Sequence, residues 1–277
     1  MKSCVTISLV PSLKGGPWVL WDNLEKSLQT AYQVGFDGVE LFTKNASIES
    51  EKPLDSLLNQ HNLSLGALGT GAGKVLHGLT LTDEDVNVRK EARLFIKEMI
   101  SFGANFGAPS ILGSMQGSFS ENVSKETALN YLREALEDLG DHALGLGTFF
   151  IYEPLNRYET NLFNLFEEAC SFCRNLNTNG VKVLADLFHM NIEETDIAAS
   201  IKPNADMLGH VHFADSNRKP VGYGHTEMKP ICESLKEINY SGYISAEAFA
   251  YPNPETAAQQ TIKSFRKFFN TTDIQSA

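Results

Sequence analysis

The sequence predicts an α/β chain folded as a single (β/α)₈ barrel, a TIM barrel, with residues 1–277 in one domain. Short β-branched or aromatic runs alternate with longer amphipathic stretches, eight times over, as parallel strands joined by helical crossovers require. No long linker or low-complexity segment breaks the series. The length of 277 residues is that of one such barrel. A doubly wound open sheet is the alternative built from the same units.

The elements follow in order. The first strand is read at residues 4–10, and an amphipathic helix at 22–34 stops at Gly35. Residues 37–42 and 63–68 read as the second and third strands. The glycine-rich stretch from Gly66 to Lys74 overlaps the third, and a loop then runs to about Asp83. Gly103 and Gly107 mark a helix end before the fourth strand, 110–113. A helix at 121–144 ends before Gly147 and leads into the fifth strand, 148–153. Gly180 is read as another helix stop before the sixth strand, 181–186. Strands at 208–213 and 243–248 and a helix at 255–269 complete the pattern.

A hydrophobic fraction of 42% and a charged fraction of 21% supply a globular core. The net charge of −11 repels phosphate backbones and argues against nucleic acid as a partner. No run reaches the roughly 18 apolar residues of a membrane span, and the N-terminus lacks a signal-peptide pattern. The expectation is a soluble, cytoplasmic protein without a membrane partner. Four cysteines in a chain of this length do not make a disulfide framework.

In a barrel, the C-terminal ends of the strands form the rim where chemistry is done. Near the ends of the last four strands stand Glu153, Asp186, His212 and Glu247, spaced by about 30 residues, one βα unit each. Four ligand-type side chains therefore fall on neighbouring strands. Three crowded carboxylates repel one another unless a cation lies between them. Three oxygen donors and one imidazole suit one divalent metal, manganese first, with magnesium or cobalt as alternatives. The bland reading of any one of these residues is a cap or an ion-pair partner, and it weakens when all four line one rim.

The neighbouring strings Glu153-Pro154-Leu155-Asn156-Arg157, Asp186-x-x-His189-Met190-Asn191 and His212-x-x-x-Ser216-Asn217-Arg218 resemble the xylose-isomerase-like barrel superfamily. Within it they look most like the tagatose and psicose 3-epimerase (ketose 3-epimerase) branch. The match covers residues 148–249, and the N-terminal half is less distinctive. The resemblance implies that Glu153, Asp186, His212 and Glu247 hold the metal. It also implies that Glu153 and Glu247 are the catalytic acid/base pair on opposite faces of the substrate. His189 and Arg218 would bind substrate oxygens, and Glu159 the far end of the substrate. The implied reaction is C3 epimerisation of a ketose by proton transfer through an enediolate, with a small sugar or hydroxy-ketone as substrate. A homodimer or homotetramer is implied as well.

Each accessory residue has a second reading. His189 either binds substrate or is a buried histidine held by a backbone carbonyl. Arg218 either binds substrate or bridges to Asp215, and Glu159 either reaches substrate or pairs with Arg157. Glu40, at the end of the second strand, either orients a ligand or makes a structural hydrogen bond. His210 shares the face of His212 and either supports that ligand or fills a barrel layer.

Other motifs fail. The stretch ending in Lys74 lacks the first glycine of a Walker A loop, since Leu68 stands there, and Val75 replaces its Ser/Thr. Cys170-x-x-Cys173 lies on an amphipathic helix without a second pair and reads as core. Ser114 and Gln116, after the fourth strand, are smaller and more polar than the aromatic residues common in the epimerase branch. They are read as reaching a polar or phosphorylated substrate end. Three other functions compete: an aldose–ketose isomerase of the hydroxypyruvate-isomerase type, a non-catalytic sugar-binding barrel, and an AP endonuclease. The last needs extra histidines on strands three and four, which read Gly69-Thr70-Gly71 and Gly113-Ser114-Met115.

Overall fold

The computed structural model describes residues 1–21, 23–48 and 52–269. The expected first residue of the first helix, Asp22, and the end of the expected domain, 270–277, lie outside the described residues.

The chain runs β1 (Lys2–Ser8), α1 (Leu24–Val34), β2 (Gly38–Phe42), α2 (Leu54–Gln60), β3 (Ser64–Gly69), α3 (Ala72–His77), α4 (Val86–Ala104) and β4 (Ser110–Leu112). It continues α5 (Lys125–Gly145), β5 (Phe150–Tyr152), α6 (Phe166–Arg174), β6 (Val181–Asp186), α7 (Leu187–Glu193), α8 (Ile197–Ile201), β7 (Leu208–His212), α9 (Met228–Glu237), β8 (Tyr243–Ala246) and α10 (Pro254–Phe269). The eight strands pair in sequence order and close on themselves, β8 beside β1, all parallel. The expected TIM barrel is the observed fold, and no helix among the described residues is long and apolar enough to cross a membrane.

Local chemistry explains the boundaries. The Asn23 side chain accepts from the Lys26 N–H and starts α1, and Gly35 ends it at φ 94°, a left-handed conformation open to glycine. The helix expected from residue 121 starts at Lys125, because Ser124 caps it through the Thr127 N–H. Its buried positions Ala128, Leu132, Ala135, Leu136, Leu139 and Ala143 recur at helical spacing. Cys170 and Cys173 are buried on α6, as the core reading requires.

Two expectations need correction. The loop expected after β3 contains α3. Gly180 does not stop a helix, since α6 has already ended at Arg174. A Cβ at Gly180 would lie 2.1 Å from the Gly140 carbonyl oxygen of α5, so the glycine permits close helix–loop packing.

The barrel interior is divided. Ala67, Ile111, Ile151 and Leu184, from β3 to β6, form a dry cluster. The side made by β7, β8, β1 and β2 instead buries His210, His212, Ser245, Thr6 and Glu40. Polar groups tolerate burial best when paired: Thr6 Oγ1 donates to the Ala246 carbonyl and Glu40 faces both histidines, while Ser245 Oγ has no hydrogen-bond partner among the described residues.

Candidate active site

Each rim residue is placed by its strand. Glu153 directly follows β5, and its N–H extends the ladder to the Leu112 carbonyl at 3.0 Å. Asp186 ends β6 and caps α7: its Oδ1 accepts from the Phe188 and His189 N–H groups at 2.7 and 3.3 Å. That leaves Oδ2 for the cavity. His212 ends β7, and Glu247 directly follows β8.

One oxygen from each carboxylate and the imidazole Nδ1 all lie within 4.8 Å of one another. His212 Nδ1 is 3.3 Å from Asp186 Oδ2, 3.4 Å from Glu153 Oε1 and 3.6 Å from Glu247 Oε2. Glu153 Oε1 is buried without a hydrogen-bond partner among the described residues. A buried, unpartnered carboxylate oxygen facing two more carboxylates and an imidazole is the donor set of a divalent cation. The residues fit the group.

The electrostatics agree. Burial pushes the Glu247 carboxyl up to about 7, with Glu153 and Asp186 adding to the push and Arg218 and His212 opposing it. Burial also works to raise Asp186, but His189, His212 and Arg218 hold it well below the carboxylate range. Burial disfavours the charged form of His212, yet Glu40, Glu247, Asp186 and Glu153 hold that ring well above its ordinary value. Positive charge at the centre is thus stabilised from several sides.

Behind the rim, Glu40 receives both histidines of β7. His210 Nε2 is 2.9 Å from its Oε2, and His212 Nε2 is 3.2 Å from its Oε1. Of the two readings of Glu40 and His210, the geometry is that of support for His212. Burial works to raise the Glu40 carboxyl, and His212 and His210 outweigh it, keeping Glu40 well below the usual range.

His189 is buried, and no carbonyl holds it. Its Nδ1 faces the Asn156 N–H at 3.3 Å and the Asn156 Nδ2 at 2.7 Å, both donors. Nδ1 must therefore accept, which puts the ring proton on Nε2. Nε2 has no hydrogen-bond partner among the described residues; it lies 3.7 Å from Asp186 Oδ2 and 4.0 Å from Glu153 Oε1. A free N–H donor thus faces the cavity.

Arg218 does not bridge to Asp215. Its Nη2 contacts Glu247 Oε2 at 2.5 Å, and its Nη1 lies 3.5 Å from Glu159 Oε1. The Asp215 carboxylate instead gathers the N–H groups of Ser216, Gly222 and Thr226 at 2.8–3.0 Å and so shapes the loop that carries Arg218. Glu159 does not pair with Arg157, which binds Glu193; it accepts from Asn156 Nδ2 at 3.2 Å.

The cavity encloses about 230 Å³. Glu153, His189, His212, Arg218 and Glu247 form its polar wall. Trp18, Phe42, Val75 and Leu155 supply apolar lining, with the Trp18 and Phe42 rings 4.2 Å apart. Ser114 lines it, but Gln116 does not, contrary to the expectation that it reaches substrate. Gln116 is fully buried: its Nε2 donates to the Gly113 and Glu153 carbonyls, and its Oε1 accepts from Tyr152 OH. Sequence reasoning missed Asn156 as the partner of His189, and Trp18, which sits in the loop after β1 where no periodicity marks it.

The family model for the xylose isomerase-like TIM barrel matches residues 28–268. A D-psicose 3-epimerase from Agrobacterium fabrum is 30% identical over 246 residues, 86% of this chain and 80% of that protein. A 3-dehydro-D-guloside 4-epimerase from Escherichia coli is 26% identical over 234 residues, 82% of this chain and 87% of that protein. Among solved structures, a D-psicose 3-epimerase crystallised in the presence of D-fructose superposes with a TM-score of 0.81 at 22% identity, covering 98% of this chain and all of the other. With its rim of Glu153, Asp186, His212 and Glu247 on the last four strands, this chain belongs to the xylose isomerase-like TIM barrel family, in the branch that holds the ketose 3-epimerases.

Proposed function

We propose that this protein is a divalent-metal-dependent ketose 3-epimerase acting on a small sugar. The chain is an enzyme of the isomerase class, like its curated relatives. The observation that carries the finer reading is the pair Glu153 and Glu247, which face one imidazole nitrogen from separate strands, with Asp186 completing the set.

Glu153, Asp186, His212 and Glu247 would hold the cation, manganese first and magnesium or cobalt next. When bound, it supplies Lewis-acid polarisation of the ketone and offsets developing negative charge. The remaining work falls to side chains. His189 offers its Nε2–H to a substrate oxygen, which strengthens as charge grows there. Arg218, fixed against Glu247 and Glu159, presents its guanidinium beside the same wall. One glutamate removes the proton from C3, and the other returns a proton to the opposite face. That division needs one carboxylate and one carboxylic acid. The two glutamates differ in surroundings, since Arg218 contacts Glu247 while Glu153 Oε1 has no hydrogen-bond partner among the described residues, and such a difference can set their protonation states apart. The apolar lining of Trp18, Phe42 and Leu155 keeps water from the deprotonated carbon.

The test is deuterium incorporation. The manganese-loaded protein is incubated in D₂O with several ketoses, a ketose phosphate and hydroxypyruvate, and the label is located. Label at C3 that disappears with a chelator supports the epimerase. Label on the terminal carbon next to the carbonyl moves the assignment to an aldose–ketose isomerase. Absence of label from every substrate, with metal bound, removes the catalytic reading for that panel. Within the described residues the cavity is lined by two histidines only, His189 and His212, which does not favour the multi-metal endonuclease.

A further inference from the structure

We infer that Glu40 is a positioning residue of the metal centre: it fixes which nitrogen of His212 faces the rim, with His210 fixing Glu40 in turn. The inference rests on the metal reading above.

Glu40 lies on β2 and reaches across the barrel interior to β7. It is 4% exposed, and its histidine partners are 1% exposed each, so these groups depend mainly on one another. A carboxylate has only acceptors. Glu40 Oε1, 3.2 Å from His212 Nε2, therefore requires the proton on that nitrogen. In a neutral ring that leaves Nδ1 as the lone-pair nitrogen, and Nδ1 is the atom within 3.6 Å of all three rim carboxylates, where a cation would take the place of a second proton. A neutral imidazole binds a cation only through its unprotonated nitrogen. Reversing the tautomer would put a hydrogen where the cation belongs.

His210 completes the device. It sits two residues before His212 on the same face of β7, with ring centroids 5.5 Å apart and the planes at 83°. Its Nε2 occupies Glu40 Oε2 at 2.9 Å. Each oxygen of Glu40 thus has its own histidine, and the carboxylate cannot rotate away from His212 without leaving a buried donor unmet. Nothing else in the reaction scheme uses Glu40 or His210.

Glu40→Gln keeps the volume but replaces one acceptor with a donor. The amide can satisfy His212 and His210 together only if one ring changes tautomer. Manganese affinity is measured by water-proton relaxation for the parent, Glu40→Gln and Glu40→Asp, and thermal unfolding is followed in chelator. The expected result is about 10–100-fold weaker manganese binding in Glu40→Gln, with a smaller loss in Glu40→Asp. Affinity within twofold of the parent overturns the inference. If Glu40→Gln does not fold, the parent decides. Long-range ¹H–¹⁵N spectra of the magnesium-loaded protein are expected to show an Nε2 proton on both His210 and His212, slow to exchange. A His210 proton on Nδ1, or a rapidly exchanging His212 Nε2 proton, overturns it equally. A parent that binds no manganese sinks the metal reading itself, and this inference with it.

Discussion

Gly113 is the residue whose replacement tests the rim geometry most directly. It directly follows β4, and a Cβ built on it would lie 2.5 Å from Glu153 Oε2. Ordinary contact begins near 3.4 Å, so the carboxylate oxygen must retreat by about 0.9 Å in Gly113→Ala. The other side is not open: Glu153 Oε1 already lies 3.4 Å from His212 Nδ1 and 4.0 Å from His189 Nε2. The carboxylate therefore rotates or shifts within the cluster. Misplacement of a reacting group by about 1 Å costs on the order of 100-fold in rate. Overpacking at a buried site costs about 1–3 kcal/mol, well short of unfolding a barrel of this size.

The assay is kcat and KM for ketose epimerisation, beside thermal unfolding. Gly145→Ala is the control, since a Cβ there meets nothing within 4 Å. The expectation is a fall in kcat of roughly 100-fold for Gly113→Ala, with the fold retained and the control near the parent. A Gly113→Ala enzyme with at least half the parental kcat would refute the claim that the position of Glu153 is set by the space over Gly113.

Glu153→Gln and Glu247→Gln are each expected to abolish turnover while the circular dichroism spectrum stays parental; turnover above one-tenth of the parent for either would remove that residue from the acid/base pair. Manganese at about 100 times its Kd should stabilise the chain by about 2.7 kcal/mol, read as a rise of several degrees in Tm that a chelator reverses; an unchanged Tm would contradict a cation held by the four rim residues. The Asp215 loop carries a pH signature. Burial works to raise that carboxyl, and the N–H groups of Thr226, Gly222, Ser216 and Gly224 outweigh it and hold its pKa down. A depressed folded pKa gives stability that is complete above the unfolded value of about 3.9 and is lost as pH falls through the folded one. The stability gap between the parent and Asp215→Asn should therefore narrow as pH drops below about 4, and a gap independent of pH down to acid unfolding would contradict the role given to those N–H groups.

The rim was legible in the sequence because barrel geometry turns position into direction: a residue at the end of a parallel strand faces the mouth. Glu153, Asp186, His212 and Glu247 needed only strand ends and side-chain parity, and strand ends tolerate small errors. The structure ends β5 at Tyr152 and β8 at Ala246, one residue short of the glutamates, without moving either from the cluster. The short helix α3 was illegible for a physical reason. Gly71 and Gly73 lower helix propensity, yet Gly73 is there because the Met115 thioether fills the space a Cβ would take, 2.5 Å away. A glycine demanded by packing looks, in sequence, like a glycine demanded by a turn.

What the sequence leaves open is orientation rather than identity. Glu40 could be placed at the mouth by parity, but its two partners stand 170 and 172 residues away on β7. Asn156 is 33 residues from His189, and nothing in local periodicity says that both its donors meet one nitrogen. These contacts decide where the imidazole protons sit, and hence which atoms are free for a cation or a substrate oxygen. His212 offers a bare nitrogen because Glu40 takes its proton side; His189 offers a proton because Asn156 takes its bare side. Two histidines of the same cavity are thus given opposite roles by their partners. On the proposed reading the rim supplies the ligands, and the residues behind it determine the chemical face that each side chain presents.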